Sequence, residues 1–194
     1  MIIRKLFKFE ASHIVRNCTT RRCSRSLHGH SYKVEVKLHS NFLDRGGMVY
    51  DFGLMKREIG DFIDSFDHSL LLWKRDNPEL LEFGKSFSER WILLPINPSA
   101  EQLGRLFFLV IDKILKQTLF QNRERGIQLY SIVIHETETG YAECFREDAY
   151  NFAGMGEIKL EEIIFSPQIQ REWRSEMWWE RLLKGELFQN PPPH

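Results

Sequence analysis

The chain has 194 residues, 42% of them apolar, enough to bury the core of one domain with some chain to spare. Its 27 basic residues balance 27 acidic ones, so no global field draws it to nucleic acid or an anionic membrane. Three cysteines are too few for a disulfide framework, and no apolar run approaches the roughly 18 residues of a membrane span.

The start, MIIRKLFKF, is too short and too charged for a signal peptide, so a soluble, cytoplasmic protein is expected. From residue 3 to 13, Ile3, Phe7, Phe9, Ala11 and His13 share one face of a strand that Lys5 interrupts. A loop with Arg16, Arg21, Arg22 and Arg25 leads to a second strand over 28–39, expected to pair antiparallel with the first. Gly46-Gly47 signals a turn and Asp51 a helix N-cap. Leu54, Met55, Ile59, Phe62, Ile63 and Phe66 recur at helical spacing, which predicts a helix ending near Ser65. Residues 73–95 show no clear period and read as mostly loop.

Asn97-Pro98-Ser99 opens a second helix, with Pro98 suited to its first turn and Ser99 and Gln102 to a capping box. Its buried stripe runs Leu103, Leu106, Phe107, Val110, Ile111, Ile114, Leu115. Period two returns at 127–137, with Tyr130, Ile132, Ile134 and Glu136 on one face. After the turn at Thr139-Gly140, residues 141–146 form a return strand. The order strand, strand, helix, helix, strand, strand predicts an α+β fold: a four-stranded antiparallel sheet with two helices on one face. In the tail, Ser166-Pro167 starts a helix with Ile169, Trp173, Met177 and Trp178 on nearly one side, more simply packing than a lid.

The chemistry gathers at "SLHGHSYKVEVKL". His28 and His30 have the parity of the inward set Tyr32, Val34, Val36 and Leu38, and His13 has that of Phe7, Phe9 and Ala11. Three imidazoles converging at one sheet end with a fourth position open are the ligand set of a catalytic zinc site. A rival grouping of Cys18, Cys23, His28 and His30 as a closed structural zinc site fits the local spacing but leaves His13 unexplained. Cys144 reads as a small buried apolar residue.

The stretches FEASH, CSRSLHGHSY, GGMVYDF, DHSLL, NPSAE and HETETGYAE occur in that order. Together they resemble the 6-pyruvoyltetrahydropterin and 6-carboxytetrahydropterin synthase family, over about residues 1–147. This predicts a synthase-like domain at 1–147 and a partly helical extension at 148–194. The resemblance implies the T-fold, with sheets joined into a barrel across a hexamer of two trimers and active sites at subunit interfaces. It implies that His13, His28 and His30 hold zinc, that Cys23 is the catalytic thiol, and that Asp67 and His68 are an acid–base pair. Glu136 is then the carboxylate that anchors the pterin ring. Ser99 and Glu101 of NPSAE, with Arg22 and Arg25 of the basic loop, are the further expected substrate contacts, and the nearby arginines are expected to favour the Cys23 thiolate.

The spacing from Cys23 to His28 falls between those typical of the two branches, and Cys18 lies in the same loop; Cys23 is closer to either spacing. Leu27 leans toward the carboxy branch. The implied reaction converts 7,8-dihydroneopterin triphosphate to 6-carboxy-5,6,7,8-tetrahydropterin, releasing acetaldehyde and triphosphate, in queuosine biosynthesis. The alternatives are pyruvoyl-tetrahydropterin formation and a non-catalytic, zinc-stabilised binding module.

Overall fold

The computed structural model describes residues 1–194. In chain order the elements are β1 (Ile2–His13), α1 (Arg21–Arg25), β2 (His28–His39), α2 (Glu58–Asp64), β3 (Ser69–Trp73), α3 (Pro78–Phe87), β4 (Trp91–Leu94) and α4 (Ala100–Lys116). They continue with β5 (Thr118–Leu119), β6 (Gln128–His135), β7 (Tyr141–Phe145), α5 (Arg146–Ala149), α6 (Phe152–Met155), β8 (Ile164–Phe165), α7 (Pro167–Glu172), α8 (Trp178–Lys184) and β9 (Phe188–Gln189).

The four expected strands are present as β7-β6-β2-β1, all antiparallel, but they form only part of a seven-stranded sheet that continues β3-β4-β8. β3 runs parallel to β1 and β4 parallel to β3, so the sheet is mixed, and the four-stranded antiparallel expectation is corrected. The reason lies in SLLLW and WILL, which fall in or beside the stretch expected to be loop. Leu71 belongs to the main core, whereas the Leu70 and Leu72 side chains lie against Gly84 of α3 on the opposite face. A strand covered on both faces carries no polar–apolar alternation to read. α3 is itself opened by Asn77, whose side chain accepts from Glu79 N at 2.8 Å, with Pro78 at its first position.

β1 and β2 pair residue for residue from Ile2 opposite His39 to His13 opposite His28. Phe9, Tyr32, Val34, Val36 and Leu38 are buried along the inward face, as their parity predicts. Between β2 and β6 the register shifts at Lys37/Leu38. That irregularity turns Leu129 inward and leaves Tyr130 43% exposed, so Tyr130 does not share the inward face of Ile132 and Ile134.

α4 buries the expected stripe, and the Ser99 hydroxyl caps it by accepting from Gln102 N at 3.4 Å. Pro98 precedes the cap instead of entering the first turn. The helix expected from Leu54 is broken into a 3₁₀ turn (Leu54–Lys56) and α2, the break falling at Arg57 with φ −82° and ψ −115°. The N-cap of the turn is Gly53 and not Asp51 as expected; Asp51 stands two residues earlier and its side chain accepts from Gly53 N at 2.6 Å.

Residues after 147 pack onto the same core. Phe165, Ile169, Trp173 and Trp178 belong to one cluster with Phe62, Phe66 and Phe107, and the Trp173 indole donates to Ser65 Oγ at 2.9 Å. Met177 departs from the expected stripe: the helix stops at Glu172, and Met177 takes a left-handed conformation (φ 52°) with 60% exposure. The start of the extension is held by Arg105 of α4, which is almost fully buried. It donates to the backbone oxygens of Asp148, Met155 and Gly156 at 3.1, 2.8 and 2.7 Å. No helix is long and apolar enough to cross a membrane.

Candidate active site

The one-to-one pairing of β1 with β2 sets His13 directly across from His28, and His30 two residues further along the same face. The ligand atoms of the three lie within 4.8 Å of one another, and no cysteine joins this group, so the rival Cys/His cluster does not form. Gly29 stands between the two histidines of β2 because a Cβ there would come within 3.0 Å of the Ala11 carbonyl oxygen on β1.

Hydrogen bonds fix which ring nitrogen is bare. His13 Nδ1 lies 2.7 Å from the Pro98 carbonyl oxygen and His28 Nδ1 lies 2.9 Å from that of Ser26. A carbonyl only accepts, so each Nδ1 carries a proton, and in the neutral ring the lone pair then lies on Nε2. His13 Nε2 and His30 Nε2 are buried without a hydrogen-bond partner. Burial lowers the His13 pKa to about 4 and lowers that of His30, so both are neutral at physiological pH. Buried, neutral nitrogens with no hydrogen-bond partner suit a divalent metal, and the Pro98 and Ser26 carbonyls orient the rings of His13 and His28 toward the same point.

Glu136 follows the end of β6, and its Oε1 lies 3.6 Å from His13 Nε2, 3.8 Å from His30 Nε2 and 3.3 Å from the Tyr32 hydroxyl that donates to it. Burial and then Glu136 raise the Tyr32 pKa, which keeps the phenol protonated as a donor. Tyr32 is thus a site residue that parity placed on the right face but that was read only as packing. From sequence, Asn97 and Pro98 have no role beyond the helix start and the family motif, yet both position the site. Asn97 exchanges hydrogen bonds with the backbone of Arg16, donating at 2.6 Å and accepting at 3.1 Å, while Pro98 orients His13. One segment therefore starts α4 and fixes the end of β1.

A cleft of about 410 Å³ opens beside His28, lined by Cys18, Cys23, Ser99, Glu101 and Glu136. Arg22 and Arg25 are exposed on α1, which begins at this loop, but they do not line the cleft. The expected activation of Cys23 by the basic loop is absent. Arg16 is drawn away to Asp76, at 2.8 Å, and to the Ser24 carbonyl oxygen at 2.9 Å. The Cys23 pKa is raised, by partial burial first and then by Cys18 and Glu136. Cys144 is buried in β7 with its pKa pushed up to about 12, chiefly by burial, as befits a packing residue.

Asp67 and His68 lie elsewhere. Asp67 Oδ1 accepts from Glu10 N at 2.7 Å and Oδ2 from His68 Nδ1 at 2.8 Å, which fixes the imidazole and leaves Nε2 free. His68 has φ 53°, and its side chain is 75% exposed. It lines a hollow of about 530 Å³ with Glu10, Ser12, Ser31, Phe83 and Phe87, on the face of β1 and β2 that carries α3. The pair is therefore apart from the cleft of Cys23.

Residues 2–147 match the family model described as 6-pyruvoyl tetrahydropterin synthase. The chain belongs to this family. It is 38% identical over 197 aligned residues to a 6-carboxy-5,6,7,8-tetrahydropterin synthase of Helicobacter pylori, covering all of this chain and 98% of that one. An Aquifex aeolicus protein of the same name is 31% identical over 162 residues, covering 75% of this chain and 98% of its own. Among solved structures, an uncharacterized Wolinella succinogenes protein matches with TM-score 0.58 and 22% identity, over 76% of this chain and 98% of its own. The Caenorhabditis elegans 6-pyruvoyl tetrahydropterin synthase matches with TM-score 0.51 and 22% identity, over 75% and 94%. These confirm the T-fold. The relatives also make the chain an enzyme of the pterin synthase type, which sets the non-catalytic binding module aside.

Proposed function

We propose that this protein is a zinc-dependent 6-carboxytetrahydropterin synthase. It converts 7,8-dihydroneopterin triphosphate to 6-carboxy-5,6,7,8-tetrahydropterin, acetaldehyde and triphosphate, as a cytoplasmic step of queuosine biosynthesis. The observation that carries the reading is the bare, buried Nε2 pair of His13 and His30 beside His28, next to a cleft that holds two thiols and two carboxylates. The relatives that match along the entire chain supply the choice of branch.

His13, His28 and His30 would hold the zinc. A zinc ion there supplies Lewis acidity, acidifying side-chain hydroxyls and stabilising developing negative charge. Glu136 receives the N–H groups of the aminopyrimidinone edge and orients the ring, its own position set by the Tyr32 hydroxyl. In its thiolate form Cys23 Sγ takes the proton that leaves carbon, and Ser99 and Glu101 border the same space. Arg22 and Arg25, long and exposed, reach the triphosphate. Asp67 holds the Nδ1 proton of His68, so that Nε2 gives and takes protons.

Because His68 does not reach the cleft of its own chain, a second copy supplies it in a hexamer whose sheets close into a barrel. In this reading residues 1–147 are the synthase domain and 148–194 an extension that packs on its core.

The decisive test incubates the zinc-loaded protein with 7,8-dihydroneopterin triphosphate and identifies products by mass spectrometry. The expected products are 6-carboxytetrahydropterin and acetaldehyde. A product that keeps its three-carbon side chain would move the protein to the pyruvoyl branch, and unconsumed substrate would refute both readings.

A further inference from the structure

The cleft contains a second thiol that this chemistry does not use. Cys18 Sγ donates to the Thr20 carbonyl oxygen at 3.3 Å, and Cys23 N donates to the same oxygen at 3.2 Å. One atom thus gathers the sulfur of one cysteine and the backbone of the other. Both side chains line the cleft and are half-exposed, and neither belongs to the metal-holding group. Cys18 is also close enough to raise the Cys23 pKa.

We infer that Cys18 and Cys23 form a reversible modification site, closing an intramolecular disulfide by exchange with a low-molecular-weight disulfide. Cys18 and Cys23 flank the single turn at Thr20, and closure must bring their Cα atoms to the separation of about 4.4–6.8 Å that an ordinary disulfide needs. α1 buries no residue, and Thr19, Thr20, Arg21 and Arg22 are all exposed, so the adjustment that brings sulfur to sulfur disturbs no packed core. One cysteine thiolate attacks a sulfur of the reagent, forming a mixed disulfide and expelling one small thiolate. The second attacks the protein sulfur of that mixed disulfide and expels the other. Two protein thiols lose two protons and two electrons, and the reagent's S–S bond takes up the electrons to end as two thiols. The consequence rests on the proposed function: with its sulfur oxidised, Cys23 accepts no proton, and turnover stops until a reductant returns it.

The test treats the full-length, zinc-loaded protein with glutathione disulfide, counts thiols in denaturant, and maps unreduced peptides by mass spectrometry. Free thiols should fall from three to one, with a peptide joining Cys18 to Cys23 and no glutathione retained. Turnover should fall in step and return with dithiothreitol. In a Cys18→Ser variant, glutathione should remain on Cys23 as a mixed disulfide. Glutathione found separately on both cysteines of the unaltered protein, or three thiols still free, would overturn the inference. The thiol count needs no pterin, so it stands apart from the proposed reaction. A Cys18–Cys23 disulfide that left turnover unchanged would preserve the modification site and remove Cys23 from the chemistry.

Discussion

The metal-holding end of the sheet and the Asp67–His68 corner are held in opposite ways. His13, His28 and His30 stand on two twelve-residue strands paired without a slip, and two of their rings are pinned by backbone carbonyls. His68 follows a seven-residue helix, takes a left-handed conformation and projects into solvent with Asp67 as its one side-chain partner. A chain that builds one half of its chemistry rigidly and offers the other half outward is suited to completing its site with another copy. A left-handed conformation at a non-glycine residue costs of order 1 kcal/mol or more, and such strain persists mainly where it serves a function.

Three experiments press on that contrast. The largest effect is expected at the rigid end: His28→Ala should take zinc from about one per chain to near zero and abolish turnover, as metal analysis and product assay would register. At the exposed corner, His68→Ala should keep its zinc and lose on the order of 10²–10⁴-fold in kcat, the usual contribution of general acid–base catalysis. Cys23→Ala should also keep zinc and lose activity. Mixing and reassembling the two inactive variants should restore a fraction of turnover, because some sites then pair an intact Cys23 with an intact His68 from different chains. Inactivity after verified mixing would return both residues to a site within one chain.

The same contrast governs what could be read in the sequence. The histidine cluster was legible because strand parity is rigid: once β1 and β2 pair, His13, His28 and His30 can only face inward. α4 was legible from its stripe and the Ser99 cap. Tyr130 was misplaced because the register shift at Lys37/Leu38 reverses parity, and nothing local in β6 announces it. β3, β4 and α3 were hidden because Leu70, Leu71 and Leu72 are covered on both faces of the sheet. The environment of Cys23 was misjudged because Arg16, its neighbour in sequence, is claimed by Asp76, 60 positions away. Parity and capping are local, whereas bulges, second faces and ion pairs are decided by distant segments.

The buried imidazole also makes a pH prediction for metal-free protein. The His13 pKa is about 4 in the fold against 6.5 as its ordinary value, mainly through burial. As pH falls, the unfolded chain takes up that proton first, so the contribution of His13 is fully present above about pH 6.5 and is lost on the way down to about pH 4. The size of the effect is roughly 3 kcal/mol from the shift at 1.36 kcal/mol per unit. Urea unfolding of metal-stripped protein near pH 7 and near pH 5 should show about 2 kcal/mol of it, and His13→Asn should flatten the dependence. An equally steep loss in that variant would assign the slope to other groups.

The smallest effects are expected in the basic loop, where the same division between anchored and outward-facing groups holds among four arginines. Arg16 is anchored by Asp76 and the Ser24 carbonyl, while Arg22 and Arg25 are exposed on α1. If the exposed pair reads the triphosphate, Arg22→Gln and Arg25→Gln should each weaken binding of 7,8-dihydroneopterin triphosphate by about 1.5–3 kcal/mol, the range for a hydrogen bond to a charged group. Binding of unphosphorylated dihydroneopterin should barely change. Arg16→Gln should do the reverse, lowering the unfolding midpoint without singling out the phosphorylated ligand, because what it loses is a tie between segments. Calorimetric titration of both ligands against the three variants separates the cases. A triphosphate-specific loss at Arg16 with none at Arg22 or Arg25 would mean that the anchored arginine swings free to bind substrate and that the exposed pair serves solubility alone.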